Sequence, residues 1–331
     1  MEIIVLNHAD VQEMLGFQEC IEVLEEAFRA AKAGTCLTPP RTPVVVSDQK
    51  VFGSMAAYVE GLNRVGLKVN TVFSSNSGSR FHIHQGAILI FETETGCLEA
   101  IVEAAAVTNI RTAAASALAT KLLTEDRPHR LAVLGAGTQG AQHLRAMAVV
   151  RPLSQITVWD IARNRAESMA EWAGQVTGLK VKVAETAAEA AGSSDLICIC
   201  TPAVSPVLLG QWIQPGTHIN SVGFSGPSGR ELDDDLIKKS KLYVDWLETI
   251  LRDCGDILVP LNQGLITKAD IVGDLGDILN GTAPRRGRAD EITLFKATGV
   301  AIEDLACADY LWKTARRDGR GSRLKFGGFN E

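Results

Sequence analysis

The chain has 331 residues, of which 46% are hydrophobic and 22% are charged, a length and composition that predict two domains with well-developed cores. Its formal net charge of −6 gives no reason to expect a nucleic acid or an anionic membrane as partner. We find no apolar run of the ~18 residues that a membrane span needs and no signal-peptide pattern. A cytoplasmic location is therefore expected, with the seven cysteines as reduced thiols.

A first domain is predicted over residues 1–123, where helical and extended patterns alternate. The chain opens with a strand and a capped helix, and residues 18–33 place apolar side chains on one helical face. Extended patterns predict strands over 44–58, 67–73 and 85–92. A long alanine-rich helix is predicted over 108–123, and a linker follows at Thr124.

A second domain is predicted over residues 124–301, where strands and helices alternate as in a doubly wound parallel sheet. The predicted strands are LAVLG, ITVWD, VKVA, LICICT, HINSVG, KLYVD and DILV. The predicted helices between them are 141–150, 163–176 and 187–191. A last helix over 302–315 is expected to return to the first domain, before a glycine-rich tail that we expect to be mobile. The predicted fold class is α/β, with a Rossmann-type sheet and a further α/β domain.

The run LAVLGAGTQGAQHL carries the strongest local signal, because Gly135, Gly137 and Gly140 have the G-x-G-x-x-G spacing between a strand and a helix. The first glycine permits the tight turn, the second lets the backbone approach a pyrophosphate, and the third lets helix and strand pack closely. The helix N-terminus, with Thr138 and Gln139, offers free N–H groups to that pyrophosphate. A dinucleotide site is predicted, in preference to a tight turn without a ligand.

Asp160 ends the next apolar run, where a Rossmann fold places an acid that accepts hydrogen bonds from the ribose 2′-hydroxyl of NAD. A carboxylate there repels the 2′-phosphate of NADP. Arg163 and Arg165 are close enough in sequence to bind that phosphate, although a solvated helix start is the favoured interpretation of both arginines. The sequence therefore favours NAD mildly and leaves NADP open.

Three cations of the first domain, Arg41, Lys68 and Arg111, are candidates for binding a carboxylate. Arginine can donate two parallel N–H bonds, and lysine supplies a point charge that can also transfer a proton. Each alone would be interpreted as a surface cation or a structural ion pair. Lys68 is the most informative, because it lies within an apolar strand and needs a buried partner or a ligand. His82 and His84 form an H-x-H pattern, but a polar lining is preferred to a metal site, and no metal is predicted.

Seven segments, in chain order, resemble one known family. They are MAAY (55–58), GLKVN (66–70), HQGAILIFE (84–92), TNIRTAAASALATKLL (108–123), GAGTQGAQH (135–143), HINSVGFSGPSGRELDDDL (218–236) and EITLFKATGVAIEDLA (291–306). Together they resemble the ornithine cyclodeaminase/mu-crystallin family over essentially the whole chain, and its ketimine reductase branch in particular.

The resemblance implies a homodimer, in which residues 1–123 and about 302–331 form a substrate-binding and dimerisation domain. It also implies an active site in the cleft between this domain and the NAD(P)-binding domain. The substrate-binding residues that it implies are Arg41, Lys68, Arg111 and His84, the first three holding the carboxylate of an amino or imino acid. Lys68 is also the implied proton-transfer group. The further cofactor-binding residues that it implies are Thr112, Thr201, Pro202, Val222 and the segment 293–296.

One departure from the family pattern bears on the reaction. Ornithine cyclodeaminases, and the related alanine dehydrogenase, carry an aspartate in the loop after H-I-N-x-x-G, where this chain has Ser225. Cyclodeamination needs a strong general base to oxidise an amine, expel ammonia and reduce again. A serine hydroxyl is too weak a base for that sequence, but it could hydrogen-bond the nitrogen of a preformed cyclic imine.

The resemblance therefore implies NAD(P)H-dependent reduction of cyclic ketimine carboxylates, with Δ1-pyrroline-2-carboxylate or Δ1-piperideine-2-carboxylate giving L-proline or L-pipecolate. A first alternative is an amino-acid dehydrogenase or an imine reductase that forms N-alkyl amino acids, and a second is ornithine cyclodeaminase. The third is a non-catalytic, mu-crystallin-like binding protein, because a fold does not guarantee turnover. The glycine fingerprint and the three cations favour an enzyme. Ring size, direction and cofactor preference are left open.

Overall fold

The computed structural model describes residues 2–34, 36–48, 50–76, 78–224 and 226–327. Its strands are β1 (Glu2–Leu6), β2 (Cys36–Leu37), β3 (Thr42–Ser47), β4 (Lys50–Val59), β5 (Arg64–Phe73), β6 (His84–Glu92), β7 (Leu98–Glu103), β8 (His129–Leu134), β9 (Leu153–Trp159), β10 (Val181–Val183), β11 (Leu196–Ile199), β12 (His218–Ser221), β13 (Ser240–Val244), β14 (Ile271–Asp274), β15 (Ile292–Lys296) and β16 (Ser322–Lys325). Its α-helices are α1 (His8–Met14), α2 (Phe17–Lys32), α3 (Ala104–Leu123), α4 (Thr138–Val150), α5 (Arg163–Thr177), α6 (Ala187–Gly192), α7 (Asp234–Lys239), α8 (Leu247–Asp253), α9 (Gly255–Asn262), α10 (Leu275–Asn280) and α11 (Ala301–Asp318).

The chain divides into two compact units. Unit 1 comprises Met1–Arg111 and Val300–Glu331, and unit 2 comprises Thr112–Gly299. The first boundary lies earlier than the predicted linker at Thr124, because it falls within the continuous helix α3. Over the described ranges, no helix combines the length and the apolar character that a membrane crossing requires.

Unit 1 contains a mixed sheet with the strand order β16-β1-β7-β6-β5-β4-β2, and β3 pairs with β4 beside this path. The prediction of one strand over 44–58 is wrong, because β3 and β4 form an antiparallel hairpin. Polar residues at Ser47 and Asp48 interrupt the apolar run and account for the turn. Residues 322–325, which belong to the tail that was expected to be mobile, form β16 and pair antiparallel with β1.

Helix α11 packs against β4, β5 and β6 and also against α2. The predicted apolar face of α2 is buried, and it includes Ile21, Leu24 and Phe28. Helix α11 differs, since it is buried over most of its length together with three acidic residues, Glu303, Asp304 and Asp309. Buried carboxylates need hydrogen-bonding or charged partners, and strand β5 supplies one of these.

Unit 2 is a doubly wound parallel sheet with the strand order β10-β9-β8-β11-β12-β15-β13-β14. Its neighbouring strands are parallel throughout this order. The order reverses between β8 and β11, which is the switch point where such sheets bind ligands at the carboxyl ends of their strands. The predicted strand DILV is wrong, because residues 256–259 lie in helix α9. Short apolar runs do not separate strand from buried helix by periodicity alone.

The core of unit 2 covers both faces of this sheet. Apolar side chains that lie fully inside it include Leu134, Ile197, Ile219 and Leu294, from the four adjacent strands β8, β11, β12 and β15. Strands buried on both faces are near-continuous apolar runs, as in LAVL and LICI. Close packing fixes the carboxyl ends of these strands, and the loops that follow them carry the candidate cofactor site.

Candidate functional site

Lys68 lies on β5 in unit 1 and is 4% exposed. Its Nζ donates to Asp304 Oδ1 at 2.9 Å and to Thr108 Oγ1 at 2.7 Å. The Thr108 hydroxyl donates its own proton to the Ala104 carbonyl oxygen at 2.6 Å, so it can only accept from Lys68. The described residues thus engage two of the three ammonium N–H groups, and with respect to them the third is available to a ligand.

Arg111 on α3 forms the second half of this cluster. Its Nη1 donates to Glu303 Oε2 at 2.7 Å, and its Nε donates to Asp304 Oδ1 at 3.1 Å. Asp304 is fully buried, and its other oxygen, Oδ2, accepts no hydrogen bond from the described residues. Two cations therefore face two adjacent carboxylates of α11, and the four formal charges sum to zero.

Burial and neighbouring charges separate the acidities of these groups. Burial lowers the pKa of Lys68, with Arg111 adding to this and the Asp304 carboxylate opposing it. Burial also opposes the charged form of Arg111, but Asp304 and Glu303 more than offset it and raise the pKa of the guanidinium. Burial disfavours the Asp304 carboxylate, yet Arg111 and Lys68 prevail and its pKa is lowered. Lys68 is the cation of the pair that gives up a proton more readily.

His84, at the start of β6, is electrostatically linked to this cluster. Partial desolvation of its ring, followed by the charges of Lys68 and Arg111, lowers the pKa of His84. Its imidazole is therefore neutral at pH 7. The structure thus groups three of the four predicted substrate-binding residues. Arg41 lies half-buried in the same unit, just before β3.

The H-x-H pattern does not form a metal cluster. The ring of His82 stacks on His8, with centroids 5.7 Å apart, and His8 Nδ1 lies 3.0 Å from Glu103 Oε2. Within the part of the chain that the structure describes, no group of three or more His, Cys, Asp or Glu side chains could hold a metal ion. Ser225 lies outside the described residues.

The three glycines after β8 in unit 2 have different structural requirements. Gly135 has φ +103°, and a Cβ there would lie 2.7 Å from the Cys200 carbonyl oxygen. A Cβ at Gly140 would lie 2.1 Å from the Gly135 carbonyl oxygen. A Cβ at Gly137, by contrast, meets no atom of the described residues within 4 Å. The fold therefore requires the first and third glycines, whereas the open space at the second fits a ligand at the N-terminus of α4.

Asp160 follows β9 and joins this loop to the start of α5. Its Oδ2 accepts the N–H of Ala136 and its Oδ1 accepts the N–H of Ala162, both at 2.8 Å. Each oxygen keeps acceptor capacity for a ribose hydroxyl. A cavity of about 430 Å³ adjoins the loop and is lined by Ala136, Gly137, Thr138, Ala141, Asn164, Arg165, Ser168, Met169 and Trp172. The glycine loop, the cavity and the acid together fit the adenosine and pyrophosphate parts of a dinucleotide.

The two arginines near Asp160 differ in their surroundings. Arg163 is half-exposed and forms ion pairs with Glu167 and Glu185. Arg165 lines the cavity. Of these two predicted candidates for a 2′-phosphate, Arg165 is thus the better placed.

The remaining predicted cofactor residues fall at three places in unit 2. Thr201 and Pro202 follow β11, and Val222 follows its parallel neighbour β12, so both loops lie at the carboxyl edge beside the switch point. Gln139 lies in the first turn of α4, between Gly137 and Gly140. Thr112 is half-buried in α3.

Sequence reasoning missed three buried acids. Glu303 and Asp304 interrupt an otherwise apolar stretch of a predicted helix, and Glu231 precedes a helix cap. The first two could have been predicted, because they form an acid pair on a helix that was expected to return to a domain with two buried cations. No local pattern identifies Glu231, because its partners lie in loops that only the folded sheet brings together.

Comparisons with known proteins agree with this geometry. The ornithine cyclodeaminase/mu-crystallin family model matches residues 1–319. The chain belongs to this family. It is 35% identical to the ketimine reductase mu-crystallin of Mus musculus over 286 residues, which are 86% of this chain and 87% of that relative. The family prediction is confirmed.

Solved structures of family relatives share the whole fold. A structure of Thermococcus litoralis Δ1-pyrroline-2-carboxylate reductase, in complex with NADH and L-proline, matches with a TM-score of 0.93 at 34% identity, covering 97% of this chain and 99% of that chain. An archaeal alanine dehydrogenase dimer with bound NAD matches with a TM-score of 0.92 at 29% identity, covering 99% and 100%. The predicted α/β fold class, with its Rossmann-type sheet, is confirmed.

Proposed function

We propose that this protein is an NAD(P)H-dependent reductase of cyclic ketimine carboxylates, which forms L-proline, L-pipecolate or both. The observation that carries the proposal is the buried cluster that contains Lys68 and Arg111. Both cations have N–H donors for an anionic substrate, and the pKa of Lys68 is lowered. The glycine loop that fits a pyrophosphate supports the cofactor. The activities of the mouse and Thermococcus relatives support the substrate class.

Substrate binding is assigned to unit 1. Arg111 uses Nε and Nη1 for its carboxylate partners, which leaves Nη2 to donate to a substrate carboxylate. The remaining N–H of Lys68 and the guanidinium of Arg41 complete the proposed clamp. Because the cluster of Lys68, Arg111, Glu303 and Asp304 is neutral overall, it suits a ring with one carboxylate whose imine nitrogen takes up a proton during reduction.

Lys68 is the proposed proton donor. Reduction of the C=N bond adds a hydride to the ring carbon and a proton to the nitrogen, and a bound reduced nicotinamide supplies that hydride. Lys68 delivers the proton from its ammonium group, and its lowered pKa makes this transfer easier. Solvent then restores the ammonium form. Ser225, which lies outside the described residues, remains the predicted hydrogen-bonding partner of the ring nitrogen.

Unit 2 is the proposed dinucleotide-binding domain. Gly137 and the N-terminus of α4 bind the pyrophosphate, and Asp160 accepts a hydrogen bond from the adenosine ribose. A carboxylate at that position favours NADH over NADPH, because it repels a 2′-phosphate. The loops with Thr201, Pro202 and Val222 take the other half of the cofactor.

We also propose a homodimer. Strand β3 of unit 1 exposes three consecutive valines, Val44, Val45 and Val46, to 53%, 68% and 62%. A cluster of exposed apolar residues is typical of an interface between chains. The archaeal alanine dehydrogenase, which is similar over the full length, is a dimer. Sedimentation of the Val45→Lys variant tests this assignment: a dimer of unchanged affinity would refute it.

The deciding experiment measures loss of nicotinamide absorbance with each cyclic ketimine, separately with NADH and NADPH. We expect rapid loss with at least one ring, and faster turnover with NADH. The similarity to alanine dehydrogenase makes an amino-acid dehydrogenase the second candidate, so oxidation of L-alanine is measured alongside. Turnover of L-alanine without turnover of either ketimine would replace the proposal.

A matched pair of variants tests the clamp. Arg111→Lys keeps the charge but loses the planar fork, so KM for the ketimine should rise about tenfold or more. Arg64→Lys is the control, because Arg64 is another largely buried arginine of unit 1, paired with Glu99 and Asp309. Equal effects of the two substitutions on KM would refute the role of Arg111.

A further inference from the structure

The carboxylate of Glu231 lies where the loops after β11 and β12 meet, and it is fully buried. Its Oε1 accepts the backbone N–H of Thr201 at 3.0 Å and the Thr201 hydroxyl at 2.6 Å. Its Oε2 accepts the backbone N–H of Gly223 at 2.9 Å and that of Phe224 at 3.1 Å. One side chain thus connects two loops that follow different strands.

The two loops are also in direct contact at Gly223. A Cβ there would lie 2.0 Å from the Thr201 carbonyl oxygen and 2.3 Å from Glu231 Oε1. No other residue fits without moving one loop away from the other. The position of the Thr201 loop therefore depends on that of the Gly223 loop, and Glu231 holds both.

Lys296, at the end of β15, balances part of this buried charge. Its Nζ lies 2.9 Å from Asp256 Oδ2 and 3.8 Å from Glu231 Oε2, and it donates to the Phe224 carbonyl oxygen at 3.3 Å. Asp256 Oδ1 in turn accepts the N–H groups of Glu231 and Leu232 at 2.8 and 3.0 Å. Both carboxylates therefore accept backbone N–H groups and lie near the Lys296 ammonium.

Burial affects the acid and the lysine differently. It raises the pKa of Glu231, and Lys296 opposes that rise. Burial also disfavours the Lys296 ammonium, but Asp256 and Glu231 more than offset this and raise its pKa. The lysine therefore stays charged, and its role here is electrostatic support.

Strand topology indicates what these loops contact. In a doubly wound sheet a dinucleotide spans the switch point, with one mononucleotide on each half of the sheet. The glycine loop and Asp160 follow β8 and β9, which form the adenosine side. The loops held by Glu231 follow β11 and β12, which form the opposite side, where the nicotinamide half would lie.

We propose that Glu231 is a positioning residue, which holds the Thr201 and Gly223–Phe224 loops in the arrangement that binds the nicotinamide half of the cofactor. The inference rests on the proposed function in assuming a nicotinamide dinucleotide. It goes further by separating residues that bind one half of the cofactor from those that bind the other. Glu231 acts through the backbone of its loops and does not itself touch the cofactor.

The test compares NADH with ADP-ribose, which lacks the nicotinamide, in titrations of tryptophan fluorescence. Glu231→Gln keeps the size of the side chain but replaces one acceptor oxygen with a donor that faces backbone N–H groups. We expect NADH affinity to fall about 10- to 100-fold, as for the loss of charge-assisted hydrogen bonds, and ADP-ribose affinity to change less than about twofold. Asp233→Asn is the control, because Asp233 also accepts two backbone N–H groups, those of Gly210 and Leu236, but holds neither loop.

Equal losses of affinity for NADH and ADP-ribose would overturn the proposal, and so would unchanged affinity for NADH. If Glu231→Gln does not fold, Thr201→Val removes one donor to Glu231 at nearly constant volume, and a selective loss of NADH affinity of about threefold is expected. The binding test and the test of the proposed function can fail independently of each other. A wild-type protein that fails to reduce cyclic ketimines refutes the function but leaves the binding ratio interpretable.

Discussion

Gly137→Ala should separate the ligand requirement of the glycine loop from its folding requirement. Gly137 has φ −99° and ψ −168°, which alanine adopts without strain, and its Cβ would meet no atom of the described residues within 4 Å. Alanine is a poorer helix N-cap than glycine, but it restricts the unfolded chain more. These effects nearly cancel, so the free energy of unfolding without ligand should change by less than about 0.5 kcal/mol.

Cofactor binding should respond strongly to the same methyl group. The Cβ of Gly137→Ala would occupy the open space through which a pyrophosphate approaches the first N–H groups of α4. Loss of one hydrogen bond to a charged group costs about 1.5–3 kcal/mol. The Kd for NADH should therefore rise about 10- to 150-fold.

Gly140→Ala is the contrasting variant. Its Cβ would lie 2.1 Å from the carbonyl oxygen of Gly135, a backbone atom that cannot rotate away, and 3.1 Å from Val133. Overpacking of this kind costs about 1–3 kcal/mol, so this variant should unfold at a lower temperature even without cofactor. Thermal unfolding and NADH titration of both variants form the assay. Wild-type NADH affinity in Gly137→Ala would refute the assignment of this loop to the pyrophosphate.

Three further predictions follow from the charges. If the Lys68 ammonium donates the proton, kcat/KM should fall as the pH rises through the pKa of Lys68, which is lowered from 10.5. Lys68→Arg should move that fall to higher pH. An unchanged pH profile would contradict the role of Lys68. Burial lowers the pKa of His143 from 6.5 to about 4, so the folded chain keeps this ring neutral at a pH where the unfolded chain protonates it. The free energy of unfolding is therefore highest above pH 6.5 and falls by about 2 kcal/mol by pH 5. His143→Gln should flatten this dependence in urea titrations, and the exposed control His82→Gln should not. Arg165→Ala should raise KM for NADPH several-fold, whereas Arg163→Ala should not.

Local patterns in the sequence were enough to predict most of the second unit. Parallel strands that are buried on both faces leave long apolar runs, and the glycine loop marks the first of them. Strands β14 and β15 were missed, because their short segments lack alternation and the apolar run 256–259 competed with them. In the first unit the hairpin of β3 and β4 was merged into one strand, since its turn has only a weak polar signal.

The candidate site was only half predictable for a different reason. The cations Lys68 and Arg111 were identified because a charge in an apolar segment needs a partner. Their partner Asp304 lies 236 and 193 residues further along the chain, and only the packing of α11 against β5 brings it within reach. Local periodicity carries no information over such separations.

The buried charges of unit 1 are better explained by ligand recognition than by stability. Moving charged groups out of water is costly, and an apolar replacement of an ion-paired cluster is often as stable or more stable. The cluster of Lys68, Arg111, Glu303 and Asp304 nevertheless leaves donors on Lys68 and Arg111 uncommitted, and it buries an Asp304 oxygen that accepts no hydrogen bond from the described residues. A cluster that served stability alone would satisfy these groups internally. Unused donors on rigidly held cations are what an anionic substrate needs, because the carboxylates of α11 fix the geometry while one face of each cation stays available.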